Sequence, residues 1–444
     1  MDSSAKIGGT PERVALRTWA ILGLLLLATM LMYMDRQALA QQKTEILETL
    51  RLTNEDYGRL ELGFGLAFAI GGILTGFIAD RISPRWLYPA VLLGWSTVGF
   101  ATGWVTSYRE LFVCRVLLGF FEAGHWPCAL VTAQRLLARN DRPLGNSILQ
   151  SGASLGAIAT PIVVLLLASN AADSWRLPFR VIGSLGVIWV IAWLVAIRPR
   201  DLDLDSSALP ALDPGNEMAL LKGESAVSGA SGIFARRFLA LAIVVITINL
   251  CWQYFRAWMP GMLREQYAYS QRDVQYFSIA YYVATDVGCL AIGFLIKWLT
   301  TRGISVHGAR MATFLACSLL TSLCMVAAFL PASWLLLFTL LLIGFGSLGQ
   351  FPIYYALSQE LSARRMGKIT GALSFLTWTA TGLAQQPIGQ WIDRTHSYSQ
   401  VTFIAGLVPL IGFLALLLLW DRIVFHFSTK NERAKSESLL LDEL

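Results

Sequence analysis

The residues of this chain that could do chemistry are charged side chains inside apolar runs. Tyr33, Asp35 and Arg36 stand together in the first run, and Arg115 and Glu122 stand in the fourth. A charged side chain in the hydrocarbon of a bilayer costs at least ~2.5–3.5 kcal/mol on insertion scales, so each one marks a candidate site. Because seven residues make nearly two helical turns, Arg115 and Glu122 share one helix face. We therefore expect carboxylates and guanidiniums to meet inside the molecule.

Asp35, Glu122 and Arg115 are the candidates for proton coupling. Burial favours the neutral carboxylic acid, whereas a neighbouring guanidinium favours the carboxylate, so an arriving ligand can tip the balance. The alternative is a permanent ion-pair network that joins the two runs. We favour proton coupling, because a purely structural buried pair is an expensive way to join two helices.

A second set of polar residues is suited to holding a ligand. Arg36 offers a planar fork of donors to a carboxylate, and Tyr33 lies one turn earlier on the same side. The further substrate-binding candidates follow helical spacing in later runs: Gln150; Asn249, Gln253 and Arg256; Trp378 and Gln385. Two alternatives stay open. Such polar stripes also hold membrane helices together, and Arg256 can reach toward the interface from its helix end.

Two other residues in the runs are ambiguous. Asp286 is a lone carboxylate in the eighth run, where a structural partner and a functional role are equally compatible with the sequence. We interpret His125 as a packing residue with satisfied hydrogen bonds rather than as a proton relay.

The composition places all these residues in lipid. Of the 444 residues, 55% are hydrophobic and only 14% are charged, and the mean hydropathy is +0.56, whereas a soluble domain carries about 25% charged residues. A span needs ~20 mostly apolar residues to cross ~30 Å of hydrocarbon. The six cysteines fall inside apolar runs without metal-type spacing, so we expect buried thiols and no metal site.

The apolar runs predict an all-α polytopic protein with six spans, a polar linker and six more spans. The runs lie at about 19–39, 60–80, 86–107, 110–134, 144–168, 177–197, 238–262, 275–299, 310–331, 333–358, 369–392 and 400–420. The predicted domains are an N-terminal bundle at 1–197, a linker at 198–237, a C-terminal bundle at 238–426 and a tail at 427–444. Pro, Gly, Ser and mixed charge favour disorder in the linker.

The distribution of lysine and arginine predicts the orientation. Most of these residues fall on the loops that share a side with the N-terminus, and few fall on the opposite loops. Since positive residues are retained in the cytoplasm, both termini and the linker are expected there. The net charge of +6 thus reflects topology, and we expect no nucleic-acid partner.

The two halves of the chain repeat each other. At an offset of 225, one segment of the first half matches the second half at these positions: Gly119, Phe120, Gly124, Pro127, Gln134 and Leu136 with Gly344, Phe345, Gly349, Pro352, Gln359 and Leu361. Duplicated six-span halves typically place a substrate site near the midplane and rock around it. A secondary transporter is therefore the leading class.

The loop between the second and third spans resembles the signature of the major facilitator superfamily. It reads Gly76-Phe-Ile-Ala-Asp80-Arg81-Ile-Ser-Pro-Arg85, and a degenerate copy begins at Gly293. An acidic and basic cluster at helix ends, here Asp80, Arg81 and Arg85, can latch one conformation shut. The resemblance implies a fold of twelve transmembrane helices in two pseudo-symmetric six-helix bundles.

Further motifs narrow the resemblance. Tyr33-Met-Asp35-Arg36-Gln37 and the segment from Arg115 to Ala123 resemble the anion:cation symporter family. Trp258-Met-Pro260 and Thr285-Asp286-Val-Gly288 are similar to its sugar-acid members, the hexuronate and galactonate transporters. This resemblance implies proton-coupled uptake of a small organic anion, above all a sugar acid such as a hexuronate or aldonate.

The resemblance also implies roles for single residues. Asp35 and Glu122 would carry protons, Arg115 would be the partner of Glu122, and Tyr33, Arg36 and Gln150 would contact substrate. The sequence departs from the pattern at Phe68 and Gly72, where the sugar-acid members have an aromatic hydroxyl and a Gln. Arg256 also lies outside the pattern, and a second carboxylate of the substrate would explain it.

We therefore predict a secondary transporter of the bacterial inner membrane, and not an enzyme. Its expected partners are a small organic anion, protons and the lipid bilayer; we expect a monomer, with the proton gradient as energy source and no cofactor. The nearest alternative is an exporter that exchanges protons for a cationic or amphipathic compound, but Arg36 and Arg256 favour an anion. A sensor would need a signalling domain, and an enzyme would need a catalytic grouping or phosphate loop that the sequence lacks.

Overall fold

A computed structural model of the chain describes residues 11–79, 81–137, 142–168, 173–197, 202, 230–361 and 366–420. Within these ranges the regular elements are helices, and no β-strand occurs. The predicted Asp80, most of the predicted linker and the predicted tail at 427–444 lie outside the described residues.

The first half of the chain contributes α1 to α8. Their bounds are α1 Pro11–Gln41, α2 Lys43–Leu50, α3 Asn54–Ala79, α4 Pro84–Thr102, α5 Tyr108–Glu122, α6 His125–Leu136, α7 Arg142–Leu167 and α8 Arg176–Ala196. Serine side chains cap α4 and α5: Ser83 accepts from the backbone N–H of Arg85, and Ser107 accepts from that of Glu110. Such caps satisfy N–H groups that have no partner inside the helix.

The second half contributes α9 to α16. Their bounds are α9 Ala230–Glu265, α10 Gln271–Thr301, α11 Val306–Ser322, α12 Cys324–Ala327, α13 Trp334–Gly349, α14 Phe351–Leu361, α15 Met366–Thr395 and α16 Ser399–Leu419. Because α9 begins at Ala230, the last residues of the predicted linker are helical.

The twelve predicted spans all fall on helices of the structure. Ten candidate spans among the described residues are long and apolar enough to cross a membrane, and the two other predicted spans are α4 and α15. Large apolar side chains such as Leu166, Val195 and Phe294 are exposed on the helix surfaces, as lipid contact requires. The prediction of an all-helical polytopic membrane protein is confirmed.

The repeated sequence segment has a structural counterpart in each half. The helix breaks between α5 and α6 at Ala123 and Gly124, and between α13 and α14 at Gln350. Pro127 and Pro352 follow these breaks, and proline has no N–H to donate to the carbonyl four residues earlier. The matching prolines of the repeat therefore explain the matching breaks.

The contacts divide the chain into two compact units. Unit 1 comprises Met1–Val227, Tyr254–Ile279 and Ser374–Tyr398. Within it, α7 packs tightly on α1, since a Cβ added to Gly156 would lie 2.4 Å from the carbonyl oxygen of Met30. The rings of Trp189 and Trp193 are stacked at 5.0 Å in its core.

Unit 2 comprises Ser228–Gln253, Ala280–Leu373 and Ser399–Leu444. Its core contains Phe314, Cys317 and Ile343. Here α13 approaches α11 closely, because a Cβ added to Gly346 would lie 2.8 Å from the carbonyl oxygen of Cys317. Small residues that let helix backbones approach are typical of membrane bundles.

Candidate functional site

The central ionic cluster of unit 1 contains six buried charged side chains: Asp35, Arg36, Glu61, Arg115, Glu122 and Arg256. One face of α3 organises it, because Glu61, Phe64 and Phe68 are spaced at i, i+3 and i+7 and so lie along one stripe. The sequence pattern does not single out Glu61 or Phe64 as site residues. Glu61 is a charge just inside the predicted span at 60–80, and the rule that selected Asp35 would have found it.

Arg36 is paired with Glu122. Its Nη2 donates to Oε2 of Glu122 at 2.7 Å, and its Nε donates to the same oxygen at 3.2 Å. Both side chains are buried. The other oxygen of Glu122, Oε1, has no hydrogen-bond partner in the described part of the chain. The pair is strong, but the carboxylate is only half satisfied.

Aromatic rings enclose the Arg36 guanidinium. Its central carbon lies 5.3 Å from the ring centre of Tyr33, 5.0 Å from those of Phe64 and Phe68, and 4.9 Å from that of Trp378. The rings of Phe68 and Trp378 are themselves 4.4 Å apart. The structure therefore brings together Tyr33, Arg36 and Trp378 of the predicted substrate contacts, and adds Phe64 and Phe68.

Asp35 faces α4 at Gly99, where the absence of a side chain leaves room for the Asp35 carboxylate. A Cβ added to Gly99 would lie 2.5 Å from its Oδ1, so a larger residue there would displace the carboxylate. Neither oxygen of Asp35 has a hydrogen-bond partner among the described residues, and the side chain is buried. An unpartnered buried carboxylate is costly as an anion, which suits a group that takes up a proton.

The ion-pair partner of Arg115 differs from the one that the sequence resemblance implied. Its Nη2 donates to Oε1 of Glu61 at 2.9 Å, whereas the resemblance implied Glu122 as its partner. Although Arg115 and Glu122 share a helix face, seven residues separate them by ~10 Å along the axis. Glu61 reaches Arg115 from α3 instead, and Glu122 is taken by Arg36.

Arg256 is the second partner of Glu61. Its Nη2 donates to Oε2 of Glu61, so one carboxylate joins guanidiniums from α5 and α9. Only 3% of the Arg256 side chain is exposed. The alternative that Arg256 extends to the membrane interface is therefore wrong.

The remaining residues predicted to contact substrate do not lie together in one place. The amide oxygen of Gln385 accepts from Nε1 of Trp258 at 2.7 Å in unit 1, and Gln150 is exposed on α7. Asn249 and Gln253 belong to unit 2, where Asn249 donates to the carbonyl oxygen of Val245 on its own helix at 2.8 Å. The role of each in substrate binding stays a prediction.

The predicted latch is described only in part. Arg85 donates to the carbonyl oxygen of Ile197, just beyond the end of α8, and its guanidinium lies 5.3 Å from the ring centre of Trp86. Arg81 is exposed, and Asp80 is outside the described residues. The latch function of this loop stays a prediction.

His125 behaves as a packing residue. Its Nδ1 lies 2.9 Å from the hydroxyl of Tyr88, and its Nε2 lies 3.0 Å from the hydroxyl of Thr29. The ring is fully buried. Both nitrogens thus have partners within the first bundle.

A separate buried cation, Lys43, lies at the N-terminal end of α3. We name it the Lys43 cluster: Lys43, Asn54, Glu265 and Tyr398. Nζ of Lys43 contacts Oδ1 of Asn54 at 2.5 Å, Oε1 of Glu265 at 2.9 Å and the hydroxyl of Tyr398 at 2.6 Å. Burial lowers the pKa of Lys43 below its ordinary value of 10.5, although Glu265 opposes that shift.

Asp393 reinforces the same end of α3. Its Oδ1 accepts from the backbone N–H of Asn54 at 3.0 Å, and its Oδ2 accepts from that of Glu55 at 2.7 Å. A carboxylate at a helix N-terminus satisfies free N–H groups and complements the helix dipole. The end of α15 therefore caps α3 directly, and several polar contacts lie at this end of unit 1.

The buried charges and the helical fold define a membrane transport protein. The family profile of the Major Facilitator Superfamily matches residues 25–384. The chain belongs to the Major Facilitator Superfamily, and it is a transporter rather than an enzyme.

Curated relatives carry sugar-acid names. The chain is 22% identical to the D-galactonate transporter of Escherichia coli O6:H1, over 91% of this chain and 95% of that protein. It is 23% identical to the hexuronate transporter of Escherichia coli K12 (90% and 93% covered) and 25% identical to the probable L-galactonate transporter of the same strain (94% of each). The sequence resemblance to sugar-acid members of the superfamily is confirmed.

Solved structures share the fold. A D-xylose-proton symporter matches with a TM-score of 0.72 at 14% identity, covering 92% of this chain and 98% of that one. An inward-facing, unoccupied bacterial homologue of the human lysosomal transporter Spinster matches with a TM-score of 0.68 at 18% identity, covering 93% and 95%. At these identities the likeness establishes the fold of the chain.

Proposed function

We propose that this protein imports a sugar acid, such as a hexuronate or aldonate, together with protons. The observation that carries the proposal is the Arg36–Glu122 pair, buried among aromatic rings and only half satisfied. The sugar-acid names of its relatives support the same substrate class.

Arg36 is the proposed ligand of the substrate carboxylate. A guanidinium presents a planar fork of N–H donors that matches a carboxylate. Two of those donors, on Nε and Nη2, are held by a single oxygen of Glu122. A substrate carboxylate can therefore replace Glu122 at the guanidinium without any change of chemistry there.

Glu122 is the proposed proton acceptor in that exchange. A carboxylate that loses its cation in a water-poor interior is costly as an anion, so it is neutralised by a proton. Binding of the anion and uptake of a proton are then linked at one guanidinium. Asp35, which has no hydrogen-bond partner in the described ranges, is the second proposed proton site.

The rings around Arg36 are the proposed support for the body of the sugar. Ligand sites combine apolar and aromatic walls with a few polar groups that fix orientation. Phe68 and Trp378 supply such walls beside the guanidinium. Phe68 has no hydroxyl, so ring contact with the sugar is the role its chemistry allows.

The proposed orientation has both termini in the cytoplasm of a bacterial cell. It is supported by the excess of lysine and arginine on the loops that share that side. With this orientation, an inward proton gradient would drive accumulation of the anion.

Uptake into proteoliposomes tests the proposal. The panel is glucuronate, galacturonate, galactonate, a hexarate dicarboxylate and a neutral hexose, each with and without an inward proton gradient. We expect gradient-driven accumulation of at least one acid, none of the hexose, and loss of accumulation with a protonophore. No uptake of any acid, with proton-driven efflux of a cationic dye, would instead establish the exporter.

A further inference from the structure

His125 lies next to the central ionic cluster, on the other side of a helix break. Glu122 is the last residue of α5, and His125 is the first residue of α6. On α1, Thr29 lies two turns before Arg36, so their side chains share a helix face ~10 Å apart along the axis. Glu122 pairs with Arg36, and the His125 ring lies 3.0 Å from the Thr29 hydroxyl. Two polar contacts therefore join α1 to the chain, one on each side of the break.

The hydrogen bonds of the His125 ring define which nitrogen carries the proton. Both partners of this buried ring are uncharged hydroxyl groups, so the imidazole is neutral, with one donor and one acceptor nitrogen. The only hydroxyl hydrogen of Thr29 is donated to the carbonyl oxygen of Leu25 at 3.0 Å, so Thr29 accepts from Nε2–H of His125. Nδ1 then accepts from the hydroxyl of Tyr88 at 2.9 Å. His125 thus ties α6 to α1 and to α4.

The helix break makes an anchor of this kind necessary. Pro127 has no N–H to donate to the carbonyl four residues earlier, so the regular hydrogen-bond ladder is interrupted between Glu122 and His125. The direction of α6 therefore does not fix the end of α5. A functional side chain must be held within ~0.5 Å of its working geometry by the packing and hydrogen bonds of its neighbours. An anchor at the break supplies that support for Glu122.

The repeated segment contains an equivalent anchor in the second half. At the offset of 225, His125 corresponds to Gln350, which lies at the break between α13 and α14. Nε2 of Gln350 donates to Oγ of Ser318 on α11 at 3.4 Å. Ser347 stands at the position equivalent to Glu122. The second half therefore keeps a polar anchor at its break, built from a glutamine amide, but has a serine in place of the carboxylate.

We propose that His125 is a positioning residue for proton coupling, whose neutral imidazole holds the helix break against α1 and α4 so that Glu122 meets Arg36 in the geometry of the exchange. This inference rests on the proposed function, because it takes Glu122 as the proton acceptor. His125 itself carries no proton. Loss of the anchor loosens the coupling of substrate to protons and leaves the substrate ligand Arg36 in place.

Two variants of His125 test this role in proteoliposomes. His125→Gln keeps one donor for Thr29 and one acceptor for Tyr88, whereas His125→Leu has neither. The probes are galactonate and glucuronate, each measured as gradient-driven accumulation and as exchange of labelled for unlabelled acid. We expect the ratio of accumulation to exchange to fall about fivefold in the leucine variant, the value of one ordinary hydrogen bond, and to stay within about twofold in the glutamine variant.

The same variants distinguish the other roles of a buried histidine. A proton carrier would lose its function in both variants, because an amide does not titrate, so equal loss in the two would overturn the inference. A residue that only packs would lower the melting temperature of the leucine variant and leave the ratio unchanged, which would also overturn it. If the leucine variant does not fold, Thr29→Val combined with Tyr88→Phe removes the same two hydrogen bonds and takes its place.

Gln350→Leu is the matched control. It removes the equivalent anchor in the second half, where Ser347 replaces the carboxylate. We expect a lower melting temperature and an unchanged ratio of accumulation to exchange. A fall in the ratio as large as that of His125→Leu would show a general effect of a loosened helix break and would overturn the inference.

A measurement without transport separates this inference from the proposed function. The melting temperatures of His125→Leu, Glu122→Gln and the double variant form a double-mutant cycle. If His125 positions Glu122 on Arg36, the double variant should lose less than the sum of the single losses, by about 2 °C or more. Additive losses would overturn the inference. If the cycle shows coupling but the unmodified protein neither exchanges nor accumulates any sugar acid, the proposed function fails and the positioning of Glu122 by His125 stands.

Discussion

The Lys43 cluster and the central ionic cluster are both buried and both ringed by aromatic side chains, but they differ in how completely their polar atoms are paired. Nζ of Lys43 is bound by oxygens of Asn54, Glu265 and Tyr398. In the central ionic cluster, Oε1 of Glu122 and both oxygens of Asp35 lack partners in the described part of the chain. The first cluster is saturated and the second is not.

Cation–ring contacts do not distinguish the two clusters. Nζ of Lys43 lies 5.0 Å from the ring centre of Trp258, and the Arg36 guanidinium lies 4.9 Å from that of Trp378. A buried charge surrounded by aromatic rings is thus found in both the Lys43 cluster and the central ionic cluster. The difference teaches that unpaired buried carboxylate oxygens, rather than burial itself, distinguish the proposed ligand and proton site from the Lys43 cluster.

The largest effect is expected from a substitution within the central ionic cluster. Arg36→Met should lower sugar-acid uptake by about 100-fold, because it removes a charge-assisted contact of about 2–3 kcal/mol. Initial uptake rates in proteoliposomes at equal protein content measure it. Arg59→Met is the control, since Arg59 is 44% exposed and pairs with its helix neighbours Glu55 and Asp56. Normal uptake by the Arg36 variant would remove the carboxylate ligand from the mechanism.

The second prediction separates transport from coupling. Glu122→Gln cannot be ionised, so it should stop accumulation against a gradient while exchange of labelled for unlabelled substrate continues. The ratio of gradient-driven uptake to exchange should fall by about tenfold or more, the range over which a positioned acid or base acts. Glu110→Gln on the same helix is the control, because Glu110 is exposed at the start of α5. Full accumulation by the Glu122 variant would exclude its proton role.

The third prediction concerns the saturated cluster. Lys43→Met should lower the free energy of unfolding by about 2 kcal/mol, less than a fully buried pair would lose, because Glu265 is 25% exposed. Substrate affinity should stay within about twofold, since Lys43 contacts Asn54, Glu265 and Tyr398 and lies outside the central ionic cluster. Thermal unfolding and substrate titration measure the two quantities. A Lys43 variant that has normal stability but binds no acid would show that the Lys43 cluster serves binding rather than stability.

The smallest expected effect tests the surface of α3 next to the central cluster. A Cβ added to Gly72 meets nothing within 4 Å, whereas one added to Gly71 would lie 2.7 Å from the carbonyl oxygen of Phe120. Gly72→Ala should therefore change stability by less than about 1 kcal/mol, in the stabilising direction. Gly71→Ala should destabilise by about 1–3 kcal/mol through overpacking.

The same position offers a test of specificity. Gly72→Gln introduces the amide that the sugar-acid pattern has there, and a Cβ at this position meets nothing within 4 Å. We expect the relative affinities for galactonate and glucuronate to change a few-fold, with little loss of stability. Unchanged relative affinities would place Gly72 away from the sugar.

Much of the site was predictable because charge in an apolar run is rare. That rule found Asp35, Arg36, Arg115, Glu122 and Arg256, and helical spacing found Trp378 and Gln385. The rule did not predict the ion-pair partners of these residues. The side chain that reaches Arg115, for example, comes from α3 and not from its own helix. Lys43 went unnoticed because its partners Glu265 and Tyr398 are more than two hundred residues away in sequence.

The sequence by itself determined the membrane environment, the helical spans, the duplicated halves and the residue types of the site, because these follow from local apolarity, spacing and the cost of charge in lipid. Only the tertiary structure decided which guanidinium pairs with which carboxylate. That choice depends on depth along neighbouring helices, where one residue shifts a side chain by ~1.5 Å along the axis and by about 100° around it. Arg36 therefore pairs with Glu122, and Glu61 binds both Arg115 and Arg256.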